Sequence, residues 1–271
     1  MGKVNSPLTG QFYGQTNKTL EPCGLTFTDT EYAREFVDWH HHDNPHFTLI
    51  TRGGIRQGTS REVYECSADT LLFHNRQEPH YNVKPPGLTL GFQMEIHPQW
   101  SHSLEVNLDL LPNCAKINHP GLKLLFYRIY KEAKLPDDVS SLTTDALVLE
   151  MFSTMCGIET AARGKRPGWV KKISELLRDR FDQPLSLRSL ALELNLHWAH
   201  LSREFPRYFH CNFGEYVRKI RLEKSLALMR NKGLSLTDIA LQCGFADQSH
   251  FNRCFKEFSG VTPKNFRKIS G

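Results

Sequence analysis

No stretch of the 271-residue chain holds the ~18 consecutive apolar residues of a membrane span, and the opening MGKVNSPLTG lacks the apolar core of a secretory signal. The chain therefore reads as a cytoplasmic protein with no membrane partner. Gly2 and Ser6 fit the loose N-myristoylation pattern, but no polybasic segment follows to supply a second anchor. Cys-x-x-Cys pairs are also missing. The seven cysteines (Cys23, Cys66, Cys114, Cys156, Cys211, Cys243 and Cys254) are odd in number and scattered, which disfavours a disulfide framework and a structural zinc finger. Reduced, buried thiols are expected, and in that setting the Asn17-Lys18-Thr19 sequon carries no meaning. Hydrophobic residues at 39% and charged residues at 23% exclude disorder and collagen-like or coiled-coil arrays.

What the chain does have is an uneven charge. Residues 1–164 hold 14 Lys and Arg against 19 Asp and Glu, a net −5, whereas residues 165–271 hold 20 against 10, a net +10. The length suits two domains, and the charge says that they differ in kind. Ten excess positive charges on about a hundred residues make a polyanion the first partner to test for the C-terminal part.

From Gly24 to about Val106, short runs rich in Thr, Val, Phe and Leu (LTFTDTEY, HFTLITRGG, LLFH, LTLGFQMEI) are cut by Gly53-Gly54, Gly58 and Pro85-Pro86-Gly87. This is the spacing of an antiparallel barrel or jelly roll. After Leu111-Pro112 the period becomes helical, and helices are expected over 121–133 and 141–163, the second carrying Leu147, Met151 and Met155 on one face. The polar, Gly- and Pro-containing segment from Arg163 to Gly168 is the expected linker. The domains predicted are 1–112, a sensing domain; 113–164, a helical dimerisation and linker region; and 165–271, an all-α domain.

Within that last domain Trp169, Ile173, Leu176, Leu177 and Phe181 mark one face of a helix ending before Pro184. The chain then nearly repeats itself, LSLRSLALELNLHWAHLSREF from Leu185 resembling LSLTDIALQCGFADQSHFNRCF from Leu234. Each half reads as a helix-turn-helix, with a turn one residue longer in the second, where Gly244 can take a positive φ. In the second copy Asp247 can cap a helix offering Gln248, Ser249, His250, Asn252 and Arg253 outward, with Phe251, Phe255 and Phe258 inward. In the first, a helix from about Trp198 offers His200, Ser202 and Arg203, with Leu201 and Phe205 as its core side. Arg203 and Arg253 suit bidentate contact to guanine. The intervening helix, about 214–231, would span about 27 Å, near the ~34 Å between successive major-groove faces.

Residues 169–268 resemble the DNA-binding module of the AraC/XylS family of bacterial transcription regulators. The resemblance is carried by Asp238-Ile239-Ala240, Gly244-Phe245, Ser249-His250-Phe251, Arg253-Cys254-Phe255-Lys256, Gly260-Val261-Thr262-Pro263 and Phe266-Arg267. It implies DNA contacts from Gln248, Ser249, His250, Asn252 and Arg253, and from Ala199, Ser202 and Arg203 in the first copy. Two departures stand out. Pro206 occupies a position where a basic residue is usual and should bend or shorten the reading helix, and His210 stands where the family tends to have Gly.

Nine of the thirteen histidines precede Gly164, and His40, His41, His42 and His46 cluster, with His80 following after a strand-turn-strand interval. On a strand His40 and His42 would share a face. The segment Trp39–Val83 is similar to a cupin core, with His40, His42 and His80 in the ligand pattern and His46 in place of its Glu. That similarity implies an α+β two-domain chain, a cupin-like antiparallel β-barrel and helices followed by a double helix-turn-helix. It also brings two accounts of the histidines. A divalent metal is one, with imidazole suiting Zn, Fe, Ni or Cu. The other, favoured because regulators of this type generally lack the metal, is an organic effector in a pocket lined by Trp39, Phe47, Phe73 and Tyr81. The resulting expectation is a transcription regulator and not an enzyme, without a resident cofactor. Its partners are duplex DNA, a small-molecule effector, a second copy of the chain and RNA polymerase. The alternative is a metal-dependent cupin enzyme fused to a DNA-binding module.

Overall fold

The computed structural model describes residues 12–20, 24–163 and 167–269. Gly2, Ser6, Cys23 and residues 164–166 of the expected linker lie outside the described residues. Contacts divide the chain into two compact units. One holds the residues up to Asn118 with Glu132–Ala146, the other His119–Lys131 with Leu147 onward. The helices of residues 113–164 are thereby shared between the units.

The first unit is built on two antiparallel sheets. In spatial order, β1 (Gln15–Leu20), β2 (Leu25–Glu31), β9 (Leu90–Ile96), β4 (His46–Arg52), β7 (Leu71–His74) and β10 (Cys114–Lys116) form one. The other is β3 (Phe36–His40), β8 (His80–Val83), β5 (Gly54–Thr59) and β6 (Val63–Ser67). Leaving out the edge strands β1 and β10, this is the strand order of an eight-stranded jelly roll. The expected barrel is not closed: among the described residues no strand ladder joins the two sheets, which meet through interior side chains.

Strand β4 is buried on both faces, which is why its sequence HFTLI runs nearly continuously apolar instead of alternating. Phe47 sits opposite Phe73 on one face, their ring centroids 4.8 Å apart. Ile50 faces the interior with Leu72, Ile55, Cys66 and Tyr32. Short helix α1 (Pro98–Ser103) is pinned by the Trp100 indole, which donates to Asp145 on α3 (Ser140–Arg163) at 2.7 Å. Helix α2 (Pro120–Lys134) ends with Lys134 paired to Asp29.

The second unit continues with α4 (Gly168–Asp179), α5 (Leu187–Glu193), α6 (Trp198–Phe209), α7 (Phe213–Met229), α8 (Leu236–Gln242), α9 (Gln248–Ser259) and α10 (Pro263–Ile269). Helix α7, 17 residues and about 25 Å long, packs against α4 and α6 on the first-copy side and α8 and α9 on the second. One core gathers Ile173, Leu177, Leu190, Leu201, Phe205 and Ile220. Around the second copy Ile239, Ala240, Phe245, Phe251, Phe255 and Phe266 are buried. Phe258 departs from its expected inward place. It is half-buried beneath the Lys219 ammonium, and Cys254 takes the interior position instead.

Candidate nucleic-acid interface and a buried histidine cluster

Both repeats fold as helix, turn, helix, and the turns share one geometry. The Leu196 N–H donates to the Ala191 carbonyl, with Asn195 between them at φ 53; the Phe245 N–H donates to the Ala240 carbonyl, with Gly244 at φ 78. Positive φ therefore occurs in both copies, and the extra residue of the second follows Phe245 instead of sitting at Gly244. A Cβ on Gly244 would stand 2.8 Å from the Asp182 backbone, whereas Asn tolerates this left-handed conformation well.

The second helix of each copy is capped, by Asp247 as expected in the second and by His197, which the sequence did not single out, in the first. The Asp247 carboxylate accepts from the His250 N–H at 2.7 Å, and the His197 imidazole accepts from the Ala199 N–H at 3.3 Å. On α6, Ala199, His200, Ser202 and Arg203 are all exposed, with Leu201 and Phe205 beneath them. On α9, Ser249 and Arg253 are exposed, while Gln248, His250 and Asn252 are half-buried. Gln248 accepts from the Thr237 hydroxyl at 2.5 Å, and His250 stands edge-on to Phe245. The Asn252 carbonyl oxygen is buried without a partner. Arg203 lies 3.6 Å from Glu204, which Arg207 also approaches.

Pro206 does not shorten α6, which runs twelve residues like α9. Its missing N–H leaves the Ser202 carbonyl without its helical donor, yet the helix continues to Phe209 and closes with the His210 N–H on the Pro206 carbonyl. His210 takes φ 56 at the C-cap, the conformation that Gly260 takes at φ 75 in the second copy.

In the first unit, strand register assembles a different site. His46 on β4 pairs with His74 on β7, rings stacked at 4.6 Å, and His40 on β3 pairs with His80 on β8, rings at 4.2 Å. These two cross-strand pairs, one from each sheet, meet in the interior, where the His74 and His80 rings are 4.5 Å apart. Strand β3 ends at His40, so His42 comes from the following turn, its ring 5.5 Å from His40. All five are buried. Burial first, and then the neighbouring imidazoles, hold His42, His46 and His74 well below the ordinary histidine value and bring His80 down to about 3; His40 is lowered too.

The cavity among them measures about 20 Å³. That is room for one water or one ion. Of the aromatic side chains expected to line a pocket, none borders it. Phe47 and Phe73 face away, Trp39 is 42% exposed and Tyr81 packs against Trp39. Two residues that do border it, His74 and Gln57, carry no motif; the signal in the sequence is the alternation of LLFH, which turns His74 to the same face as Leu72.

A helix-turn-helix domain family matches residues 190–269. The chain is similar to the HTH-type transcriptional regulator GbdR of Pseudomonas aeruginosa, 30% identical over 99 residues, covering 36% of this chain and 27% of that protein. It is also similar to the HTH-type transcriptional activator RhaR of Mannheimia succiniciproducens, 21% identical over 239 residues, covering 84% and 86%. Among solved structures it is similar to ToxT from Vibrio cholerae, at 17% identity and a TM-score of 0.39, covering 90% and 98%. The chain spans 27% of the length of GbdR and 36% of the Msm operon regulatory protein of Streptococcus mutans. Residues 190–269 thus carry a helix-turn-helix domain in two capped copies, and over that region the chain is similar to HTH-type transcriptional regulators.

Proposed function

We propose that the chain is a sequence-specific DNA-binding transcription regulator. In this reading Ala199, His200, Ser202 and Arg203 on α6, and Gln248, Ser249, His250, Asn252 and Arg253 on α9, face two successive major grooves of one duplex. One observation carries it: two helix-turn-helix copies with apolar inner sides and polar outer sides lie in the half of the chain that holds the net +10. Arg203 and Arg253, both exposed, read guanine by bidentate contact, and the surrounding basic residues neutralise phosphate. Residues 1–112 act as the sensing domain, 113–164 as the dimerisation and linker region and 165–271 as the DNA-binding domain. The protein works in the cytoplasm as a homodimer that engages RNA polymerase and answers to a small ligand of its jelly roll. The relatives named above are regulators, which weighs against the enzymatic alternative.

The test is selection from a pool of random duplexes with the purified full chain, followed by binding to the selected and a scrambled duplex at one salt concentration. A defined sequence should be enriched; no enrichment overturns the reading. Arg253→Ala should cost about 1–3 kcal/mol on the selected duplex and relax one base position. Because α6 runs unbroken through Pro206, Arg203→Ala should cost a similar amount. Equal losses on both duplexes would assign these arginines to phosphate and remove them from base reading.

A further inference from the structure

The jelly-roll interior sets five neutral imidazoles around a cavity the size of one ion, and they form two overlapping triads. In His40–His42–His80 and in His46–His74–His80, one ring nitrogen from each member lies within 4.8 Å of the others. Nothing in the DNA-binding reading uses them. Burying this many polar rings is costly unless their nitrogens are satisfied. Nδ1 of His74 is fully buried without a partner, and Nδ1 of His46, also buried, makes no well-formed hydrogen bond, its ring being drawn only to the Asn44 backbone.

We propose that His46, His74 and His80 bind one divalent transition-metal ion of the zinc, cobalt, nickel or copper class. The donor set is all imidazole nitrogen, which suits these borderline ions and offers little to Ca²⁺ or Mg²⁺, whose ligands are oxygens. Three histidines with a further position open make a known type of zinc site. The neighbouring carboxylate, Glu95 opposite His46 on β9, accepts a hydrogen bond from the Asn44 amide at 2.9 Å.

The stoichiometry follows from His80, which belongs to both triads. Its Nδ1–H donates to the Glu78 carbonyl at 3.1 Å, so the neutral ring has one lone pair left, at Nε2. One lone pair serves one ion, and the two triads cannot be filled together. The orphaned Nδ1 of His74 decides between them, because His74 belongs only to the triad with His46 and His80 and an ion there satisfies it. Gln57 then acts on His74 from behind. The Gln57 amide nitrogen lies 2.5 Å from Nε2, and a 180° flip of that amide puts its oxygen there to accept from Nε2–H, which leaves the Nδ1 lone pair for the metal. Gln57 is thus a positioning residue and His74 a ligand.

The test uses the full chain stripped with chelator and titrated with Co²⁺, then competed with Zn²⁺. Visible ligand-field bands of a low-coordinate cobalt–nitrogen site should grow and saturate at one equivalent, and Zn²⁺ should erase them. His74→Leu should weaken binding by at least about tenfold and Gln57→Leu by less, whereas His40→Leu should leave the bands in place. Each variant is first shown to unfold thermally, in chelator, as the parent does. Failure of the parent chain to bind Co²⁺ or Zn²⁺ overturns the proposal outright, with no variant needed. Saturation at two equivalents, or loss on His40→Leu with His74→Leu unaffected, overturns the assignment of the triad. Binding is measured without DNA, so the metal site and the DNA-binding reading can fail separately.

Discussion

His119 shows how one imidazole can make the second unit sensitive to acid. It stands just before α2, where its Nδ1 accepts from the Leu122 N–H at 3.4 Å, so Nε2 carries the proton and is buried without a partner. Burial foremost, and then the charges of Lys219, His210 and Arg178, bring its pKa from 6.5 to about 4. Protonating Nδ1 would cancel the cap and place a positive charge at the positive end of a helix. The unfolded chain binds this proton at pH 6.5 and the folded chain only near 4, so stability is present above 6.5 and is lost as pH falls through 4. The expected loss is about 2–3 kcal/mol between pH 7 and pH 4. Denaturant unfolding of the full chain should show an acid loss larger by that amount in the parent than in His119→Gln, since the buried histidine cluster contributes equally to both; identical pH profiles would remove His119 as a source. The histidine cluster teaches the same lesson about legibility. Four members were visible as a run plus one, but His74 joins through register with His46, and pairing partners are not written in either strand alone.

At the scale of elements, the helix-turn-helix copies were readable because short-range chemistry fixes them: Ser186, Ser235 and Asp247 cap, and Leu201 and Phe251 anchor. The shortening expected at Pro206 does not occur, because Phe205 and Phe209, stacked at 4.2 Å, hold both sides of the proline to the core. Local propensity yielded to packing. The turn after α8 has no such slack. Gly244→Ala must place a side chain at φ 78 and within 2.8 Å of the Asp182 backbone, which cannot swing aside as a side chain could. We expect a loss of about 2–4 kcal/mol in unfolding free energy. Asn195→Gly, at the matching position of the first copy, should change stability by less than about 1 kcal/mol. Similar effects from the two would show that the turns are not held alike. The spacing that suited a barrel or a jelly roll resolves to an open jelly roll, a choice the sequence leaves open because alternation identifies strands but says nothing of whether the outermost ones pair.

For the whole molecule the decisive quantity is charge, and it was fully legible, since counting needs no fold. The overall +5 is the sum of an acidic part at −5 and a basic part at +10, so in the proposed reading DNA would meet the field of the basic part and be repelled by the acidic one. Binding through two reading helices should neutralise several phosphates per chain and release their counterions, making affinity fall steeply and linearly in log salt. For six phosphate contacts the loss is about a thousandfold between 50 and 200 mM salt, and a homodimer on DNA would roughly double the slope. The measurement is the affinity of the intact chain for its selected duplex across that range, with sedimentation at the same protein concentrations to count chains per duplex. Two chains per duplex with a steep slope fit the proposed dimer. One chain per duplex with a slope still corresponding to about six contacts removes the dimer and keeps both reading helices on DNA. A slope corresponding to only about two contacts would mean that the basic face is not what holds the duplex, and the charge argument for DNA binding would fall with it.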